Sequence, residues 1–126
     1  MKSLSARIGS FLLIAVALTA PLYAQFKLEK TEPAANSTND SAPKQIQIWF
    51  NEAPINNTVK INLTGPHGLV KLASLVINGS SISAAVVGTL PDGAYLVSWQ
   101  SAGEAGHVQR GQFKFIVKTA YSVVHR

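Results

Sequence analysis

The fold is decided by the stretch QIQIWF at residues 45–50, in which Ile46, Ile48 and Phe50 alternate with two glutamines and Trp49. Successive side chains of a β-strand point to opposite faces, so this alternation is the pattern of a strand with one buried face. After residue 24, no stretch keeps apolar residues at helical spacing for more than a turn or two. The alternation therefore predicts an all-β domain.

The same period of two recurs further along the chain and predicts three more strands: Val59, Ile61 and Leu63; Tyr95, Val97 and Trp99; and Phe113, Phe115 and Val117. Weaker candidates are 26–30, 69–77 and 81–87. Turn-forming residues separate these stretches at 32–37, 65–68, 78–80 and 91–93. About seven short strands at this spacing predict an Ig-like Greek-key β-sandwich, because two sheets that face each other bury the alternate apolar faces.

Residues 1–24 have the pattern of a cleavable signal peptide. Lys2 and Arg7 precede an apolar run from about Phe11 to Leu18, and small residues close the segment before Ala24. The rival interpretation is an uncleaved membrane anchor, but the apolar core is well short of the roughly 20 residues of a spanning helix. We expect an exported protein that begins at Gln25, with one domain at 25–119, a tail at 120–126 and no further membrane span.

The composition of the mature chain excludes several classes of function. Nine Lys or Arg residues stand against six Asp or Glu, and the cations are spread singly, which argues against nucleic-acid binding. The chain has no cysteine, so it lacks disulfides and thiolate metal ligands. It has neither a Gly-x-Ser-x-Gly elbow nor a His-Glu-x-x-His helix, and its acids are scattered. We therefore expect a protein that is not an enzyme.

Two kinds of aromatic residue have expected structural roles. Tyr95 follows a Pro-x-Gly turn at the start of a late strand, where a corner tyrosine donates its hydroxyl back to an earlier loop. Trp49 and Trp99 lie on predicted strands, where packing is favoured over the alternative of ligand stacking.

The order of several segments is distinctive: LEKTEPA at 28–34, IQIWFNE at 46–52, GAYLVSW at 93–99, AGH at 105–107 and GQFKF at 111–115. In this order and spacing, after a signal peptide, they resemble the CopC family of periplasmic copper-binding proteins over the whole mature domain. The resemblance implies an Ig-like β-sandwich in the periplasm. It also implies a copper(II) site where the N-terminus meets the loops at 50–52 and 104–107.

The resemblance implies metal ligands at His107 and Glu52, with Glu104 as a substitute donor. The family's N-terminal histidine is matched by Gln25, and the acid of its acid-x-His pair is matched by Ala105. Copper(II) prefers a tetragonal set of nitrogen and oxygen donors, so this incomplete set predicts weaker copper(II) binding than in full-site relatives. A cyclised Gln25 would lose even its amine.

Each of these side chains also has a structural interpretation. The His107 imidazole can bond a backbone carbonyl and hold its loop, while Glu52 and Glu104 can be turn or surface acids. His67 lies in a turn without an acidic neighbour and His125 lies in the tail at 120–126, so both are interpreted as solvated. The only methionine is Met1, so the thioether copper(I) site of some family members is absent.

The sequence therefore predicts a periplasmic copper-resistance (copper homeostasis) protein of the CopC type. Its expected partners are the copper ion and an inner-membrane copper transporter. The alternative is a metal-free periplasmic interaction module that kept the sandwich and contacts a membrane transporter or another protein. Copper-dependent oxidative chemistry is not expected, because relatives that perform it use an N-terminal histidine.

Overall fold

The computed structural model describes residues 26–119. The predicted signal peptide at 1–24, Gln25 and the tail at 120–126, with His125, lie outside the described residues. The described part forms nine strands and one 3-10 turn, Asn56–Thr58. The strands are β1 Leu28–Glu32, β2 Ser37–Asn39, β3 Gln45–Phe50, β4 Lys60–Gly65, β5 Gly68–Val70, β6 Leu72–Asn78, β7 Ser81–Val86, β8 Gly93–Ala102 and β9 Val108–Val117.

The strands form two sheets that pack face to face. One sheet has the order β1-β3-β7-β6, and the other has the order β2-β9-β8-β4-β5. Neighbouring strands are antiparallel, except that β2 runs parallel to β9. The Ig-like Greek-key β-sandwich predicted from the alternation is confirmed. No helix within the described range has the length and hydrophobicity of a membrane span.

The core consists of the inward faces that the alternation indicated. Ile46, Ile48 and Phe50 are at most 1% exposed. The alternating residues of β8 and β9 are buried against them: Tyr95, Val97, Trp99, Phe113, Phe115 and Val117. Of the apolar set around β4, Leu63 is fully buried and Ile61 is half-buried at the edge of the core. Burial of these faces drives the pairing of the two sheets.

The structure has nine strands where the spacing predicted about seven, and the difference arises in two places. Residues 69–77, expected as one strand, form β5 in the five-stranded sheet and β6 in the four-stranded sheet, with a break at Lys71. Alternation reports a strand's faces but not its neighbours, so it cannot detect a crossing between sheets. β2 follows the predicted turn at 32–37 without an apolar pattern, and it exists because Ser37–Asn39 pair with Phe115–Val117 of β9.

Tyr95 is the corner tyrosine that the sequence predicted. Its hydroxyl donates a hydrogen bond to the Pro91 carbonyl, and its ring stacks on Phe115 with the centroids 5.3 Å apart. A Cβ on Gly65 would overlap the ring, so glycine at that position lets Tyr95 lie against β4. Burial, and secondarily the negative charge of Asp92, raise the pKa of Tyr95 above its ordinary value.

The two tryptophans have different environments. Trp99 is 9% exposed and belongs to the core cluster, as expected. Trp49 is half-buried, and the Lys30 Nζ lies 4.6 Å from its ring centroid, which is a cation–π distance. Trp49 therefore helps to join β1 to β3 from the side of the sheet that faces away from the core.

Three rings at one end of the core form an aromatic row, Phe26, Phe50 and Trp99. Phe26 stacks on Phe50 at a centroid distance of 4.6 Å, and Phe50 meets Trp99 edge-on at 5.2 Å. The rings at both ends of the row lie on glycines: a Cβ on Gly103 or Gly111 would be 2.6 Å from Phe26 or Trp99, respectively. The row therefore ties the first described residue to β3, β8, β9 and the chain segment after β8.

We expect Tyr95→Phe to lower the free energy of unfolding by about 1 kcal/mol at pH 7, because it removes the hydrogen bond to Pro91. Because folding raises the pKa of Tyr95, the protonated hydroxyl contributes its full stabilisation of the fold below pH 10.0, the ordinary pKa of tyrosine. This stabilisation is lost as the pH rises through the pKa of the folded state. The difference in the free energy of unfolding between wild type and Tyr95→Phe should therefore become smaller above pH 10.0. Urea denaturation of both proteins at pH 7 and in the alkaline range measures it, and a difference that does not change with pH would contradict the assignment.

We expect Gly111→Ala to destabilise the domain by about 1–3 kcal/mol, because the new methyl group must displace the buried Trp99 ring. Gln112→Ala, on the exposed face of the same strand, is the matched control and should change stability by less than about 0.5 kcal/mol. Denaturant titration measures both effects, and tryptophan fluorescence reports the displaced ring. Equal stability of the two variants would mean that Trp99 does not need the glycine.

Candidate functional site

The first described residues are held at one end of the sandwich by a reciprocal pair of hydrogen bonds. The Lys27 N–H donates to Asn51 Oδ1 at 2.9 Å, and the Asn51 N–H donates to the Lys27 carbonyl at 3.0 Å. Together with the Phe26 ring on Gly103, these bonds join the N-terminal segment to the end of β3 and to the loop after β8. Three separate parts of the chain therefore converge at this end.

The loop at 103–107 connects β8 to β9 and carries two of the predicted site residues. It closes with a hydrogen bond from the Gly106 N–H to the Gly103 carbonyl at 2.8 Å, and Gly106 has φ +85°, which glycine adopts readily. Glu104 and His107 are both exposed. Their side chains are therefore accessible to an ion or a partner from solvent.

Glu52 connects this loop to the segment after β3. One of its carboxylate oxygens accepts a hydrogen bond from the Glu104 N–H at 3.3 Å. Glu52 is half-buried, so its carboxylate is partly shielded but still reaches the surface. The structure thus brings Glu52 and Glu104 together, and His107 lies three residues further along the same loop.

A hydroxyl clamp fixes the chain that follows Glu52. The Thr58 hydroxyl donates to the Ile55 carbonyl at 2.6 Å and accepts from the Ala102 N–H at 3.0 Å, and the Ile55 N–H donates to the Ala102 carbonyl at 2.8 Å. The clamp holds residues 55–58 against the end of β8, beside the loop at 103–107. Sequence reasoning missed Thr58, because Ala102, which donates to its hydroxyl, lies 44 positions away on β8 and no local motif indicates that contact.

A copper(II) site needs several donors that lie close together. Within residues 26–119, no three His, Cys, Asp or Glu side chains lie close enough together to hold a metal ion. Copper(II) prefers about four nitrogen and oxygen donors in a tetragonal arrangement. The described side chains alone therefore do not complete such a site, and further donors would have to come from elsewhere in the chain, from water or from a partner.

The remaining described histidine lies away from this end. His67 is exposed in the turn between β4 and β5, whose hairpin closes at the pair Gly65 and Gly68. The opposite end of β4, at Lys60, pairs with Gln100, close to the loop at 103–107. His67 is therefore separated from His107 by the length of a strand.

Known proteins resemble this chain in both sequence and fold. The profile of the CopC domain family matches residues 28–118. Among solved structures, PcoC, a methionine-rich copper resistance protein from Escherichia coli, is 27% identical with a TM-score of 0.64, over 75% of this chain and 100% of that chain. Its selenomethionine form is also 27% identical, with a TM-score of 0.63 over 73% and 99% of the two chains.

CopC from Methylosinus trichosporium OB3b shares the fold, with a TM-score of 0.67 at 19% identity over 76% of this chain and 96% of that chain. No curated protein sequence matches the chain. The family profile covers well over half of the sequence. It includes all nine strands of the sandwich, from the start of β1 at Leu28 to the end of β9 at Val117. The chain therefore belongs to the CopC family.

Proposed function

We propose that this protein is a periplasmic copper-resistance protein that binds copper(II) weakly, at an incomplete site formed by His107, Glu52 and the N-terminal amine, with Glu104 as a substitute donor. The observation that carries the proposal is the hydrogen bond between the Glu52 carboxylate and the Glu104 N–H. It brings together the two segments that bear the matching donors, at the end of the sandwich where the N-terminal segment is also held.

The donor set suits copper(II) in kind, although it is short in number. An imidazole, a carboxylate and an amine are the nitrogen and oxygen donors that copper(II) prefers. In a chain cut after Ala24, the free amine belongs to Gln25, one residue before Phe26, whose ring lies on Gly103. Gln25 brings no imidazole and Ala105 brings no carboxylate, so the affinity falls below that of a complete site.

The accessibility of the donors favours carriage of the ion over chemistry upon it. Glu104 and His107 are exposed, so an ion held there can pass to a partner without a large opening of the fold. PcoC is described as a copper resistance protein, and the same role is proposed for this chain. An inner-membrane copper transporter is the proposed partner for this role.

Export completes the proposal. Residues 1–24 serve as the signal peptide, processing after Ala24 frees the Gln25 amine, and 25–119 form the copper-binding domain with a tail at 120–126. This export and membership of the CopC family both support a periplasmic location. This chain also differs from the methionine-rich PcoC, because its only methionine is Met1 and a thioether copper(I) site would have no ligands.

A metal-free interaction module is the second candidate. It is favoured by the lack of a three-residue metal cluster among the described side chains. It is also favoured by exposed apolar residues on the edge strands β5 and β6: Leu69 is 78% exposed, Leu75 46% and Val76 50%. Copper titration separates the two candidates.

We expect the mature protein, with its N-terminus verified by mass, to bind one equivalent of copper(II) and to give a tetragonal electron paramagnetic resonance signal with nitrogen ligands. His107→Ala should weaken binding at least tenfold and remove the histidine contribution, because it deletes the only imidazole at this end of the described sandwich. His67→Ala is the matched control and should bind as wild type does. Non-stoichiometric binding that is the same in all three proteins would favour the interaction module.

We expect Glu52→Gln to separate a ligand role from a structural one. The amide oxygen can still accept the hydrogen bond from the Glu104 N–H, so stability should change by less than about 0.5 kcal/mol, whereas loss of the charge should weaken copper(II) binding several-fold. Glu104→Gln should weaken copper(II) binding less than Glu52→Gln does, because Glu104 is proposed only as a substitute donor. Copper titration and denaturant unfolding measure the two properties, and unchanged copper affinity in Glu52→Gln would exclude Glu52 as a ligand.

A further inference from the structure

A groove of about 360 Å³, lined by polar side chains together with Trp99 and Gly111, lies on the outward face of the five-stranded sheet. Three adjacent strands, β4, β8 and β9, each contribute two outward side chains to it: Lys60, Asn62, Ser98, Gln100, Arg110 and Gln112. The groove is separate from the candidate copper donors. Two of its six outward side chains are cations, and no acidic side chain lines it.

The strand register arranges these side chains in two rows across the sheet. Lys60 pairs with Gln100, and Gln100 pairs with Arg110, so a cation stands at each end of this row with an amide between them. The neighbouring row consists of Asn62, Ser98 and Gln112, which are neutral hydrogen-bonding groups. Neighbouring strands are about 4.8 Å apart, so the backbones of Lys60 and Arg110 are separated by about 10 Å.

This arrangement is complementary to a chain that carries carboxylates. Two cations in one row without an acid repel each other weakly, and an anionic partner would relieve that repulsion. In a peptide with the polyproline II conformation, residues three apart lie on the same face about 9 Å apart, so two such carboxylates can meet Lys60 and Arg110 together. The amides and hydroxyls between them can bond a peptide backbone, and the excess of cations in the mature chain adds to the attraction.

The groove also lies beside the loop at 103–107. Arg110 is three residues after His107, and the hairpin of β8 and β9 closes at the pair Ala102 and Val108, two positions beyond the row of cations. Two residues of a strand span about 7 Å. A chain bound in the groove is therefore within reach of the exposed loop.

We infer that this groove docks an acidic segment of a partner protein, with carboxylates about three residues apart, next to the loop that carries His107. The docking stands on the charge and register of the groove alone. Its use for handing copper to or from the partner rests on the proposed function.

The test uses the mature protein without copper and a capped, fluorescein-labelled peptide with the sequence Glu-Ser-Ser-Glu repeated twice. Fluorescence anisotropy at low and physiological salt measures the affinity, and ¹⁵N NMR locates the bound peptide. We expect saturable binding that weakens with salt, with the largest shifts at residues 98–100 and 110–112. The matching peptide with glutamine in place of glutamate should not bind.

Two double variants with the same change of net charge make the test specific. Lys60→Gln with Arg110→Gln should weaken peptide binding at least tenfold. Lys44→Gln with Lys118→Gln, both exposed and outside the groove, should change it less than twofold. An equal loss in both double variants, shifts centred elsewhere or the lack of saturable binding would overturn the inference.

Vesicles of phosphatidylglycerol test whether the groove binds an anionic membrane surface instead of a protein. Binding to these vesicles that depends on Lys60 and Arg110, without binding to the peptide, would assign the groove to a membrane surface and overturn the protein partner. Because every measurement is made without copper, a failed copper titration leaves this result unaffected, and a failed peptide titration does not affect the copper site.

Discussion

The aromatic row of Phe26, Phe50 and Trp99 is the contact on which the candidate site depends. Its end rings lie directly on Gly103 and Gly111, where any side chain would push them away. This close approach joins the N-terminal segment, the end of β3 and the segment that follows β8 within one packed cluster. Segments that are far apart in the chain, and that carry the candidate donors, therefore meet at one end of the sandwich.

Around this row, backbone and hydroxyl groups hold the loops while the candidate donors stay accessible. Asn51 fixes the N-terminal segment, and Thr58 fixes the chain after Glu52 to the end of β8. Glu104 and His107 project from a short loop closed by Gly106. A rigid frame with exposed donors suits a protein that accepts and releases an ion, and the groove beside the loop adds a surface on which the receiver could be held.

The alternation of apolar residues was sufficient to predict the central strands and their buried faces. It worked for β3, β8 and β9 because the side chains of a strand alternate whatever its neighbours are. It failed for β2 and for the division between β5 and β6, because those depend on which strand lies alongside. The corner role of Tyr95 was also predictable, since its bond to Pro91 is local.

The sequence by itself thus determined the sandwich, its inward faces, the family, and the lack of thiolate and thioether donors after residue 24. Only the tertiary structure decided which polar groups meet. The Glu52 carboxylate and the Glu104 N–H are 52 residues apart, and the row of Lys60, Gln100 and Arg110 exists only through strand register. Such pairings depend on how the sheets close around the core, and no local pattern of residues encodes that closure.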